Sequence, residues 1–403
     1  MTARRWVHAT YRGASGSRSY AVYIPPGLDP GAPVPVWVML HGCHQDAADI
    51  AAGTRLDTLA DRENFVAVYP EQSTEHNTRA CWNWFRPRDQ VRGSGEPAII
   101  AGITQEVLAG RSTAFLAAPI KPVLDRDRVY ITGLSAGASM AAILGATYPD
   151  LYAAVGMHSG SHFGAARNAA SALLAMATGG PDPERQGGLA YAAMGPRSRV
   201  VPVVVVQGDR DRAVRLRNGE HVVRQWLATN HLASGRAPGW GYTQPDAERS
   251  EERTGVLPAT VRRWTDAAGR PVVEYWLVAG LGHAWSGGDP VGSYTDPSGP
   301  DATAIMHRFL SQHRLGAAPA RPAGAVARRV PAVVARHVPA AVARRLPAAL
   351  ARRVPAAAAV LSRGGVLLSH VIDALLHPVQ TARAVRKAVQ PARRPRRPAR
   401  IRR

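Results

Sequence analysis

Among the 403 residues there is no apolar run of the roughly 18 that a membrane-spanning helix requires. The opening residues, Met1-Thr2-Ala3-Arg4-Arg5-Trp6-Val7-His8, hold no apolar core followed by a cleavage site, so no secretory signal peptide is read there. The Arg4-Arg5 pair is not followed by the apolar segment of a twin-arginine signal. Cysteine is scarce as well. Cys43 and Cys81 are the only two, and three readings stay open for them: a disulfide, which implies an oxidising compartment, two inert buried thiols, or a metal site with His41 and His44. The spacing of those four residues matches no zinc pattern. Acidic residues are nearly missing from one region. From Ala317 onward a single acid, Asp373, faces 18 Arg and one Lys, a net of +18 out of the total +21. The remaining +3 over 316 residues is ordinary, so the pI near 11 describes a tail.

Apolar residues make up 46% of the chain, ample for a large core. Short β-branched runs recur at Val34–Leu40, Phe65–Tyr69, Arg128–Thr132, Ala153–Met157, Val201–Val206 and Val272–Val278. Continuous apolar strands of this kind suit a parallel sheet buried on both faces. Tyr20–Ile24 alternates and reads as an early antiparallel strand. Helical stretches at Asp46–Glu63, Ala98–Glu106, Ala136–Tyr148 and Gly219–Thr229 lie between the strands, and Met306–His313 reads as a last helix. The alternation predicts an open, mostly parallel α/β sheet with right-handed crossovers and helices on both faces. Two stretches break the rhythm: residues 71–97, a long polar and aromatic loop beside the site, and residues 231–262, a turn-rich surface excursion or flap.

The tail, residues 317–403, repeats every eight residues: Arg328-Arg329-Val330-Pro331, Arg336-His337-Val338-Pro339, Arg344-Arg345-Leu346-Pro347, Arg352-Arg353-Val354-Pro355. A proline at that interval interrupts any long helix, leaving short helical turns or extended segments. Val366–Gln390 reads as an amphipathic helix kinked at Pro378, and Pro391–Arg403 as disordered. Paired arginines point to a polyanion such as nucleic acid, or to an anionic granule or membrane surface; a solvated low-complexity extension is the plain alternative. No obligate protein partner is indicated.

The chemistry lies in the first 316 residues. Gly133-Leu134-Ser135-Ala136-Gly137 falls between a strand and a helix, the setting that lifts a serine hydroxyl above a parallel sheet for acyl transfer. A nucleophilic serine needs a base, and the base an orienting acid, in the chain order Ser, Asp or Glu, His. Two aspartates, Asp209 and Asp211, follow the strand Val201–Val206, and His283 stands among glycines after the strand Val272–Val278. The intervals from Ser135 to Asp211 and from Asp211 to His283, 76 and 72 residues, accommodate a helix and an excursion between strands. Either aspartate can serve as the acid, the other then being a turn-former. For the developing oxyanion the expected donors are the backbone amides of Ala136 and of Cys43, with Gly42 behind it, in the loop His41-Gly42-Cys43-His44-Gln45. His41 reads as a loop-stabilising side chain. Trp84 and Trp285, on loops predicted to surround the serine, are candidates to bind substrate, core packing being their alternative, as it is for Trp82 and Phe85. This chemistry calls for no cofactor and no metal.

The residues together resemble the poly(3-hydroxybutyrate) depolymerase family of esterases, which is related to feruloyl and acetylxylan esterases. The resemblance spans residues 18–313 and rests on LHGCHQD at 40–46, AAGTRLDTLADRENFVAVYPEQ at 51–72, CWNWF at 81–85, GLSAG at 133–137, YPDLYAAVGMHSG at 148–160, QGDRDRAV at 207–214, GLGHAWSGG at 280–288 and GPDAT at 299–303. Ala138 stands where the family usually has a further glycine. The resemblance implies an α/β-hydrolase fold over residues 1–316, a triad of Ser135, Asp211 and His283, and a bridge between Cys43 and Cys81. It also implies cleavage of polyhydroxyalkanoate-type esters through an acyl-enzyme, with feruloyl or acetylxylan ester hydrolysis as the alternative. The family is associated with extracellular polymer breakdown; with no signal peptide read, the cytoplasm stays open as the alternative location.

Overall fold

Of the seven residues in Val34–Leu40 only Pro35 is not fully buried. The reason is a period of two: Val36, Val38 and Leu40 enter one apolar layer while Trp37 and Met39 enter another on the opposite face. The structure, a computed structural model, describes residues 5–29, 31–116, 121–235, 244–253, 256–266 and 269–316. The octapeptide repeat, the Val366–Gln390 helix and the expected division at residue 316 therefore fall outside the described residues or at their edge.

The strands run β1 (Arg5–Gly13), β2 (Gly16–Ile24), β3 (Val34–Leu40), β4 (Val66–Pro70), β5 (Leu124–Leu134), β6 (Ala154–His158), β7 (Val203–Gly208), β8 (Ala247–Arg253), β9 (Val256–Thr265) and β10 (Pro271–Val278). They form one ten-stranded sheet in the order β1-β2-β4-β3-β5-β6-β7-β10-β9-β8. The central strands β4, β3, β5, β6, β7 and β10 are parallel, and antiparallel pairs close both flanks. Helices α3 (Gly95–Leu108), α4 (Ala136–Thr147), α6 (Pro183–Met194) and α7 (Arg217–Ala233) supply Ile99, Ile103, Leu144, Ala190 and Trp226 to the first layer. Helices α1 (Ala47–Thr54), α2 (Leu56–Glu63) and α8 (Ala302–Leu310) supply Ile50, Leu59, Met306 and Phe309 to the second. The result is the α/β-hydrolase arrangement, a mostly parallel sheet with helices on both faces. Among the described residues no helix is long and apolar enough to cross a membrane.

Three expectations need correcting. The helix expected over Asp46–Glu63 is two helices, broken at Arg55, whose φ of 55° is left-handed. The Thr54 hydroxyl bonds back to the Ile50 carbonyl at 2.7 Å, and the Gly53 carbonyl turns out to accept the Asp289 amide at 2.8 Å. Gly53 lies against Gly292, where a Cβ would come within 2.4 Å of the Gly53 Cα, so the break is shaped by backbone packed on backbone. The second correction concerns the excursion at 231–262. Its first residues complete α7, and β8 and β9 extend the sheet. The alternation in β9, with Ala259 and Val261 toward one layer and Trp264 toward the other, is interspersed with arginines and hides in an average over the window. The charged β8, AERSEER, blunts the sheet edge. Third, β1, α5 (Ala169–Thr178) and α6 were not foreseen. Asp182-Pro183, an N-cap followed by proline at the first helical position, was the signal for α6.

Candidate active site

Ser135 sits between β5 and α4 with φ 57° and ψ −115°, a backbone conformation that costs a non-glycine residue on the order of 1–3 kcal/mol. Neighbouring contacts enforce it. The Ser135 amide donates to the His158 carbonyl at 2.9 Å. A Cβ on Gly137 would lie 2.2 Å from the Leu40 carbonyl oxygen, and one on Gly133 would lie 2.4 Å from the Gly137 carbonyl carbon. The two glycines thus let the first turn of α4 press against the end of β3.

His283 follows β10 and reaches across to this turn. Its Nε2 is 3.0 Å from Ser135 Oγ, and its Nδ1 is 2.8 Å from Asp211 Oδ2. Asp211 lies in the turn after β7. Its Oδ1 accepts the amides of Ala213 at 2.9 Å and Val214 at 2.8 Å, which aims Oδ2 at the imidazole. Burial pushes this carboxyl up, but the interaction with His283, the Val214 amide and the Ser159 hydroxyl outweigh burial and hold it below the usual carboxylate range. Asp209 is exposed and accepts the Gly280 amide at 2.7 Å, the geometry of a turn-former. Of the two aspartates, only Asp211 is brought to the histidine.

His158, at the end of β6, lies too early in the chain to be the base, and its packing role goes unread in the sequence. Its Nε2 accepts the Ser286 amide at 3.1 Å, its Nδ1 pairs with the Ser159 hydroxyl at 3.1 Å, and its ring stacks on Trp285. Burial, with the charge of His283 adding to it, pushes the imidazole down to about 3, so it stays neutral under the loop that carries His283. Its place in the YPDLYAAVGMHSG block was the available signal.

Across from Ser135 lies the 41–45 loop. A Cβ on Gly42 would stand 3.5 Å from Ser135 Cβ. The Gly42 amide is already bound by Gln45 Oε1 at 2.9 Å, whereas among the described residues the amides of Cys43 and Ala136 have no acceptor. Cys43 is bonded to Cys81, with 4.2 Å between their Cα atoms, tying this loop to the 71–97 segment. That bond removes the thiolates from the alternative metal set, and both ring nitrogens of His41 are hydrogen-bonded. Among the described residues no group of three His, Cys, Asp or Glu side chains is placed to hold a metal ion.

The tryptophans pack inward. Trp285 is fully buried and donates to Thr303 Oγ1 at 3.0 Å, so it offers no surface to a substrate. Trp84 retains 6% of its surface and sits edge-on to Phe85, within the first apolar layer. The indole N–H of Trp82 donates to the His41 carbonyl at 3.1 Å, bracing the 41–45 loop from below.

A mostly parallel sheet, a serine on a strained strand-to-helix turn and a histidine on the loop after a later strand define an α/β-hydrolase. The chain belongs to the Esterase PHB depolymerase family, whose model matches residues 18–243. It is similar to poly(3-hydroxyalkanoate) depolymerase C of Paucimonas lemoignei, 32% identical over 65% of this chain and 57% of that protein. It is also similar to feruloyl esterase B of Thermothelomyces thermophilus, 29% identical over 54% of this chain and 75% of that protein. The chain thus spans little more than half the length of the depolymerase. In fold it is similar to the acetyl xylan esterase of Aspergillus awamori, with a TM-score of 0.59, 19% identity, and coverage of 76% of this chain and 98% of that one.

Proposed function

We propose that this chain is a serine carboxylester hydrolase acting on polyhydroxyalkanoate-type oligomers or polymers. The observation that carries the reading is the alignment of Asp211, His283 and Ser135 through contacts of 2.8 and 3.0 Å. Ser135 Oγ attacks the ester carbonyl while His283 Nε2 takes its proton, and Asp211 keeps the other imidazole proton on Nδ1. The tetrahedral oxyanion accepts hydrogen bonds from the Cys43 and Ala136 amides, each donor contributing on the order of 3 kcal/mol. Collapse expels the alcohol, protonated by His283, and leaves an acyl group on Ser135. Water, deprotonated by His283, then releases the hydroxy acid. The chain's own residues account for every proton transfer.

The test is Ser135→Ala assayed on p-nitrophenyl esters of graded acyl length and on a polyhydroxybutyrate suspension. Loss of turnover by several orders of magnitude in a folded protein is expected; near-wild-type activity overturns the mechanism. A second reading, a feruloyl or acetylxylan esterase, is favoured by the match to most of the length of feruloyl esterase B. Turnover of methyl ferulate or acetylated xylan well above that of hydroxybutyrate oligomers decides for it. The basic tail, net +18 over residues 317–403, extends the proposal to contact with a polyanion or an anionic granule surface. Retention on DNA or anionic vesicles that weakens steeply with salt supports that contact.

A further inference from the structure

The amide of Cys43 can stabilise an oxyanion only if its N–H is aimed, and a loop between a strand and a helix does not aim it by itself. Gly42 precedes it, and both backbone groups of Gly42 are held by buried side chains. Its N–H donates to Gln45 Oε1 at 2.9 Å, and its carbonyl lies 2.7 Å from His41 Nδ1. The His41 tautomer follows from its partners. A backbone amide can only donate, and that of Gln72 points at Nε2 from 2.9 Å; the proton is therefore on Nδ1, directed at the Gly42 carbonyl. The orientation of the Gln45 amide follows in the same way. Its Nε2 donates to Asp49 Oδ2 at 3.0 Å and to the Ser293 carbonyl at 3.1 Å, leaving Oε1 for Gly42.

We infer that His41 and Gln45 are positioning residues that clamp Gly42 from its two sides and thereby aim the Cys43 amide at the oxyanion. The link is covalent geometry. The Gly42 carbonyl and the Cys43 N–H belong to one planar trans peptide and point in opposite directions, so fixing the carbonyl fixes the N–H. His41 is fully buried, its ring tilted against Trp82, and burial lowers its pKa, which keeps it neutral. Gln45 carries a second consequence. Asp49 Oδ1 also accepts the Ser293 amide at 2.8 Å, so the loop bearing Cys43 is tied to the segment that follows His283. One glutamine therefore registers the oxyanion side of the site against the segment leading away from its base. The inference rests on the oxyanion role proposed for Cys43.

Three variants test it: His41→Gln, His41→Asn and Gln45→Leu. Asparagine can place its side-chain N–H near the position of Nδ1 and keep the bond to the Gly42 carbonyl. Glutamine instead reaches toward Nε2 and loses that bond. His41→Gln and Gln45→Leu should lower kcat on p-nitrophenyl butyrate on the order of 10²-fold, approaching the loss seen when an oxyanion donor is removed. KM should stay within about 3-fold, because the oxyanion forms only after the ground state. Inhibition by butylboronic acid, whose tetrahedral adduct mimics the oxyanion, should weaken in parallel with kcat. His41→Asn should recover most of the rate. A purely structural histidine would give equal losses in both His41 variants, tracking their melting temperatures; that result, or an unchanged kcat in His41→Gln, overturns the clamp. Should His41→Gln fail to fold, Gln45→Leu decides by the same kcat and boronate readings. Ser135→Ala separates the two levels: an active Ser135→Ala removes the serine mechanism itself, whereas an inactive one beside a fully active Gln45→Leu removes only the clamp.

Discussion

Lowering the pH from 7 to 5 should destabilise this fold by about 5–6 kcal/mol, through groups that carry no charge in the native state. Burial pushes His158 down to about 3 and His162 and His313 to about 4, from an ordinary value of 6.5. In the unfolded chain each takes up a proton below pH 6.5, and in the folded chain none does until pH 4 or lower. The unfolded state therefore binds more protons throughout the window, and stability falls as pH falls. Above pH 6.5 these groups contribute nothing. At pH 5 each costs about 2 kcal/mol, from 1.36 kcal/mol per pH unit, and the three together about 6. Set against a typical total of about 5–15 kcal/mol, this is enough to move a urea midpoint far down or abolish the native baseline. The pKa values of His41, His221 and His307 are lowered too and act in the same direction. The lowered carboxyl of Asp211 stabilises the fold above the ordinary carboxylate value; that contribution is lost as pH falls through its own lower value, beneath this window. The assay is equilibrium urea unfolding followed by tryptophan fluorescence at pH 7, 6 and 5. His313→Leu, which keeps an apolar contact with Phe309, should shrink the pH 7-to-5 loss by about 2 kcal/mol whatever it does at pH 7. Stability equal within about 1 kcal/mol at pH 7 and 5 would refute the reasoning.

Asp211→Asn should leave a folded protein with turnover lower on the order of 10⁴-fold, because the imidazole loses the partner that fixes its tautomer. Asp209→Asn, at a side chain that accepts the Gly280 amide and not His283, should cost far less, and the reverse ranking of initial rates would move the acid to Asp209. Breaking the Cys43–Cys81 bridge opens a loop spanning 38 residues and should cost about 4 kcal/mol, read as a lower urea midpoint in Cys81→Ser. Thiol titration of unreduced, denatured wild type should find no free thiol; two would end that prediction. Cutting after Ala318 removes the Arg-rich tail while sparing Ser135, Asp211, His283 and Cys43, so turnover of small soluble esters should persist, and loss of folding would place the boundary elsewhere.

What could be read from the sequence was whatever a continuous pattern announces. The parallel strands show as unbroken apolar runs because both of their faces are buried, and Ser135, Asp211 and His283 stand at strand ends where loops converge. Strand β9 escaped because its two faces alternate apolar residues with arginine, so neither hydropathy nor turn composition isolates it. The break at Arg55 escaped for a different reason: its cause, the contact of Gly53 with Gly292, joins positions 239 residues apart. Trp285 illustrates the same limit. Its neighbours along the chain place it on a loop near the serine, but its ring partners, His158 and Thr303, come from β6 and α8 and take it into the core. Choosing Asp211 over Asp209 from the residues alone was equally out of reach, because two positions in one turn differ only in which way the backbone directs them.

The parallel crossovers also set when this site comes into being as the chain folds. Ser135, Asp211 and His283 sit on loops after β5, β7 and β10, and Cys43 follows β3, so no local segment contains a working pair. Each parallel pairing closes a long loop before any contact rewards it, which makes such sheets slow to assemble. The proposed triad is therefore complete only once β10 has paired with β7 and carried His283 to Ser135 and Asp211. During refolding, recovery of ester hydrolysis should therefore report the joining of separate crossovers, not the formation of any single one.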